Sequence, residues 1–244
     1  MKKIDAPRDE IRETVIAALH KQSDEETRRK RRFCELAGLP YNPREEIQTQ
    51  VFSSFLIEPY VNNLTGLISE EELLAQLKDI FKEYIISQIK KEEKSPEGVE
   101  QISQGVMARV DSLLAYIIPA NYQERGELYW KYVFELAKEK GIAPKDVFAS
   151  DGLYKEVLRN IYTCEENQVN IEKASSFLNP DTLLDIILKP IIRVLAGEDE
   201  EETTRFYNEF KKEMLSDLEF QKKTEALKNA FSQVVEEEMQ RIYG

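Results

Sequence analysis

Five consecutive cations, Arg28-Arg29-Lys30-Arg31-Arg32, stand beside Phe33 and form the sharpest chemical feature of the chain. Such a run on one helix can contact phosphates, which makes nucleic acid a candidate partner through Arg28, Arg29 and Arg32. Its flanks argue for a different reading. Asp24, Glu25 and Glu26 precede Arg28, Arg29 and Lys30 by four residues each, and Glu35 follows Arg31 at the same distance. Acid before base at that spacing is the favourable order for pairing along a helix, so the block largely neutralises itself.

Three further constellations could do work. Tyr129 and Trp130 lie among Tyr122, Tyr132 and Phe134, a density of aromatic rings suited either to a packed core or to a docking face for a protein partner. Asp185, Lys189 and Arg193 recur every four residues on an otherwise apolar segment, so they form either a polar seam reaching solvent or a charged pocket. The acidic run 198–202 has the oxygen ligands a hard cation prefers, yet it matches no calcium loop, and acids at a helix start are what the helix dipole selects.

Several chemistries are disfavoured by what is missing. His20 is the single histidine, which removes paired-histidine zinc and di-iron motifs, and it reads as a surface or helix-end residue. No glycine pair forms a dinucleotide fingerprint, no Gly-Lys-Ser/Thr cradles a phosphate, and no nucleophile elbow occurs. We therefore expect no cofactor, no metal and no catalytic residues. Cys34 and Cys164 form no CxxC, and reduced thiols are expected. A net charge of −12 repels phosphate backbones and anionic lipid overall, so nucleic acid could bind only through the local basic segment. No run approaches the length of a spanning segment and no secretory signal is evident, so membrane insertion is not expected and the expected location is cytoplasmic.

The elements that must position these residues are helical. Only nine glycines and nine prolines punctuate 244 residues, too few for the turns of a sandwich or barrel. Ile11, Val15 and Leu19 mark a first helix, and Ser23 or Asp24 reads as the start of a second that ends at Gly38, the two forming a hairpin. Asn42-Pro43 opens another helix with an apolar stripe of Phe52, Phe55 and Leu56, kinking at Pro59. Ser69 and Glu72 form a capping box ahead of Leu73, Leu77 and Ile80. Residues 90–98 read as a linker, and Val99, Ile102 and Val106 begin a further helix that Pro119 ends. A helix spans 122–140 and closes at Gly141, and the next carries Leu153, Val157 and Ile161. Asn179-Pro180 opens a nearly all-apolar helix, kinked at Pro190. Two more follow, the first packed through Phe206, Phe210 and Met214, the last through Leu227, Phe231, Val234 and Ile242.

The expected fold is thus all-α, an irregular bundle of about nine or ten helices. It forms either a single domain or an N-terminal region 1–94 and a C-terminal region 95–244. The functional expectation is a non-enzymatic interaction module, an adaptor, regulator or assembly factor that binds a protein through a helix face or groove. A nucleic-acid accessory protein using the basic helix is the first alternative. An enzyme with carboxylate or lysine chemistry around Asp185, Lys189 and Arg193 is the second.

Overall fold

The computed structural model describes residues 3–92, 122–163, 165, 179–182, 184–185 and 200–244. Among them no strand occurs, and eight α-helices and one 3-10 turn account for most of the described residues. The fold is all-α. The helices are α1 (Arg8–Ala37), α2 (Arg44–Phe55), α3 (Ile57–Leu64), α4 (Glu70–Glu92), α5 (Tyr122–Lys140), α6 (Asp151–Ile161), α7 (Glu200–Ser216) and α8 (Leu218–Tyr243), with the 3-10 turn Pro144–Val147 between α5 and α6. No helix among the described residues is long and apolar enough to cross a membrane.

Local sequence explains most of the helix ends. Gly38 adopts φ 66°, and its amide and that of Leu39 bond the Glu35 and Cys34 carbonyls, closing α1. Gly141 takes the same left-handed conformation after α5. Asn42 accepts the Arg44 amide at 3.1 Å ahead of α2. The capping box is complete: Ser69 N–H donates to Glu72 at 2.7 Å, and Glu72 N–H donates to Ser69 Oγ at 3.2 Å. That backbone donation, with the Ser69 hydroxyl, holds the Glu72 carboxyl below its usual range.

α1 departs from the expected hairpin. It is one helix of 30 residues, unbroken across Ser23 and Asp24. The capping signal there is overridden by tertiary packing, because Ser23 is buried and Lys21 and Glu25 on either side are tied to other elements. The break expected at Pro59 falls at Leu56 instead, leaving Pro59 in the first turn of α3, where its missing N–H costs nothing. The helix expected from residue 99, the end of the 90–98 linker and most of the apolar helix from Asn179 lie outside the described residues.

Packing divides the chain into two compact units. The first gathers 1–84, 119–166 and 238–244, and the second 85–118 and 167–237. The first therefore draws on both regions expected from the sequence. Its core sets Ile11, Val15 and Leu19 of α1 against Val61 and Leu64 of α3 and against Trp130 and Val133 of α5. Arg8 and Arg12 clasp the two oxygens of Glu58 at 3.1 Å each, fixing α3 along α1. In the second unit, α7 buries Thr203 and Tyr207, whereas Phe206 and Phe210 are 48% and 42% exposed. The packed stripe is thus one position on from the expected one. The Tyr207 hydroxyl donates to Asp185, and Lys211 pairs with Asp185 at 2.8 Å and Asp181 at 3.0 Å, so polar bonds turn that face inward.

Candidate functional site: a basic cleft beside an exposed apolar stripe

The basic run occupies the second half of α1, where its cations point in several directions. Arg28 turns toward the end of α8: its guanidinium meets Glu25 at 2.8 Å and Glu238 at 2.6 Å. Arg241 closes the figure, meeting Glu25 at 2.6 Å and Glu238 at 3.2 Å. The result is a quartet in which each carboxylate bridges both arginines. Glu25, with its side chain only 8% exposed, also takes Lys21 at 3.3 Å. Burial alone would raise its pKa, but the Arg28 hydrogen bond and the charges of Arg241, Arg28 and Lys21 together hold it below the usual range. Arg29 lies 3.9 Å from Glu238 at the margin.

The quartet fastens the chain terminus to α1. Arg241 also reaches Asp151 at 3.4 Å, the Tyr243 hydroxyl donates to the Tyr162 carbonyl at 2.7 Å, and Arg159 donates to the Ile242 carbonyl. Sequence reasoning missed this arrangement. It found the neutralising role of Glu25 but placed it within one helix, where Glu25 pairs with Arg28 at three-residue spacing and with Lys21 at four.

On its other side the basic segment faces α2. Arg28, Arg31 and Arg32, with Asp24 and Glu35, line an open cleft of about 490 Å³ that Gln50 borders from α2. Its lining carries three guanidiniums and two carboxylates, and Arg28 among them is already paired with Glu25 and Glu238. Arg31 stacks over the Tyr41 ring at 5.3 Å, and Arg32 meets Glu35 at 2.9 Å. α2 also exposes Val51 and Phe55 at 52% and 59%. These stand one turn apart, on the side of the helix between Gln50 and Phe52. Phe52 itself packs on Tyr84 and Phe81 of α4, with ring centroids 4.7 and 6.3 Å away, and Leu56 packs on the core. Of the expected stripe, Phe55 alone faces water.

The remaining candidates fall elsewhere. Trp130 is 6% exposed, inside the first unit's core with Tyr60 and Tyr129 around it, and so offers no docking surface. The Tyr129 hydroxyl is buried near Gln22, and burial pushes its pKa far above the ordinary phenol range. Asp185 lies in the second unit with a half-exposed carboxylate. Lys189 and Arg193 lie outside the described residues. His20 is exposed on α1, well inside the helix rather than at an end, and Cys34 is a free, buried thiol. No three His, Cys, Asp or Glu side chains converge on a metal-sized point among the described residues.

Comparison with protein-family models, with curated proteins and with solved structures returned no match for this chain.

Proposed function

We propose that this chain is a non-enzymatic protein-interaction module, an adaptor, regulator or assembly factor, that holds an acidic, apolar segment of a protein partner along α1 and α2. One observation carries the reading: three arginines line a cleft that Gln50 of α2 borders, and the same helix exposes Val51 and Phe55. An apolar stripe gives a partner area to bury, and adjacent guanidiniums select carboxylates over cations and fix the register. The nucleic-acid reading of the same cations has less support. Arg28 and Arg32 already face Glu25, Glu238 and Glu35, and the cleft carries Asp24 and Glu35, which a phosphate backbone would meet at close range.

The test uses two synthetic amphipathic helices, one bearing glutamates beside leucine and phenylalanine, the other with lysine at every glutamate. Fluorescence anisotropy with the full chain should show binding of the acidic helix alone, and Phe55→Asp should weaken it roughly ten- to thirty-fold. Equal affinity for both helices would remove the proposal. So would retention of labelled DNA or RNA that the acidic helix fails to displace.

A further inference from the structure

The chain leaves the first unit at residue 166 and returns to it only with its last segment, Glu238–Gly244. Every residue that forms that unit's hydrophobic core or packs on it lies between Ile4 and Tyr162, so among the described residues the core draws nothing from the returning segment. The ties that hold the segment are polar, and they match the features of a helix end. Arg241 lies between two carboxylates from different elements, Glu25 of α1 at 2.6 Å and Asp151 at the start of α6 at 3.4 Å. Glu238, three residues earlier, meets Arg28 at 2.6 Å, with Arg29 at 3.9 Å. The Ile242 carbonyl is one of the last four of α8, which have no partner inside the helix, and it accepts from Arg159 of α6. A cation there also complements the negative end of the helix dipole. The Tyr243 hydroxyl donates at 2.7 Å to the carbonyl of Tyr162, the residue that follows α6.

We infer that this face of α1 and α6 is a receptor for a helix C-terminus of the pattern Glu-x-x-Arg-x-Tyr, occupied in this chain by its own last segment as a releasable strap. Charge order sets the selectivity. The receptor presents arginine to the guest's glutamate and carboxylates to its arginine, so a helix end with those two charges exchanged meets like charge at both positions. The face is distinct from the cleft and shares only Arg28 with it. Arg28 and Arg241 therefore differ in what their loss does. Arg28 belongs to α1, which supplies the core, whereas Arg241 belongs to the strap, which can swing away and take an unfavourable charge into water. Once undocked, so short a helical end does not hold itself together and frays.

The experiment compares the full-length wild type with full-length Arg241→Glu by amide hydrogen exchange. In the variant the amides of 239–243 should exchange at least about ten-fold faster, while Trp130 emission stays native because the core is still assembled. Arg241→Gln, which removes the charge without adding another, should accelerate the same amides by a smaller factor, again with native Trp130 emission. A fluorescein-labelled peptide of residues 228–244 is then offered to both full-length chains and followed by anisotropy. It should bind Arg241→Glu, whose receptor is released, at least about ten-fold tighter than the wild type, whose receptor is filled. The same peptide carrying Glu238→Arg and Arg241→Glu should bind neither chain. Loss of native Trp130 emission in both variants would make the segment an integral part of the unit's fold and overturn the inference. Unchanged exchange at 239–243 in Arg241→Glu would overturn the strap, and equal affinity of that chain for the two peptides, or for neither, would overturn the receptor.

Discussion

Glu25→Gln tests the account of how α1 holds the chain terminus. The substitution keeps shape and removes the charge that Arg28, Arg241 and Lys21 surround at 2.8, 2.6 and 3.3 Å. At an effective dielectric near 20, one contact pair at such distances amounts to about 5 kcal/mol of gross attraction, most of it offset by desolvation. Removing one member of a buried pair costs about 3–5 kcal/mol when the other is stranded. Here Glu238 still faces both arginines, and Arg28 is nearly half exposed, so water screens part of the loss. The net expectation is about 2–3 kcal/mol. Trp130 is the only tryptophan and sits in the first unit's core, so its fluorescence during urea unfolding reports that unit by itself. The pH dependence supplies a second check. Glu25 has a folded pKa below its ordinary 4.5, so its contribution is present above that value and is lost as pH falls through the lowered one. Wild-type and Glu25→Gln curves should therefore converge in acid. A difference below about 0.5 kcal/mol at pH 7, or one that persists unchanged in acid, would show the quartet to be an ordinary surface cluster.

Gly38→Ala should destabilise the first unit by about 1 kcal/mol, read by the same urea titration, because φ is 66° while open space surrounds the missing Cβ, so backbone strain acts alone. Trp130→Ala should cost about 3–5 kcal/mol, followed by circular dichroism, since it empties a core site rather than a docking face. Tyr154 is pushed up from 10 to about 12, chiefly by burial and further by Glu25, so the stability it contributes is present below the free phenol's value and is lost as pH rises through about 12. Its ionisation, followed by tyrosinate absorbance, should lag behind that of exposed tyrosines, and ionisation together with them would refute the burial.

Helix ends were legible in the sequence wherever the signal is local. Ser69 and Glu72 satisfy each other's backbone donors within three residues, and Gly38 needs only its own backbone freedom. The Ser23-Asp24 signal is equally local, yet it was overruled by partners far away in sequence: Glu25 finds Arg241 216 positions on. Periodicity also failed to say which apolar face is covered. α2 and its C-cap carry Val51, Phe52, Phe55 and Leu56, and α7 carries Phe206, Tyr207 and Phe210, more apolar positions than one stripe needs. Neighbours decided the matter, with Phe52 drawn to Tyr84 and Phe81 and Tyr207 held by Asp185. The basic run was visible at once, but its division into a structural half and a cleft half depends on Glu238 and Gln50, which no spacing rule connects to it.

That division sets how the cleft can be probed. Arg28 belongs to both sets, lining the cleft while it bridges Glu25 and Glu238. Reversing it would place a third carboxylate against two that are mostly buried, so lost binding would be inseparable from lost folding. Arg31 and Arg32 line the cleft without entering the quartet: one stacks on Tyr41, the other pairs with Glu35, whose side chain is 71% exposed. A surface pair as open to water as Arg32–Glu35 contributes little to stability. Recognition therefore falls to Arg31 and Arg32 with Val51 and Phe55, while Arg28 keeps the helix beneath them fixed. A partner whose affinity falls as much with Arg28→Gln as with Arg32→Gln, at unchanged stability, would show that the two halves are not separate.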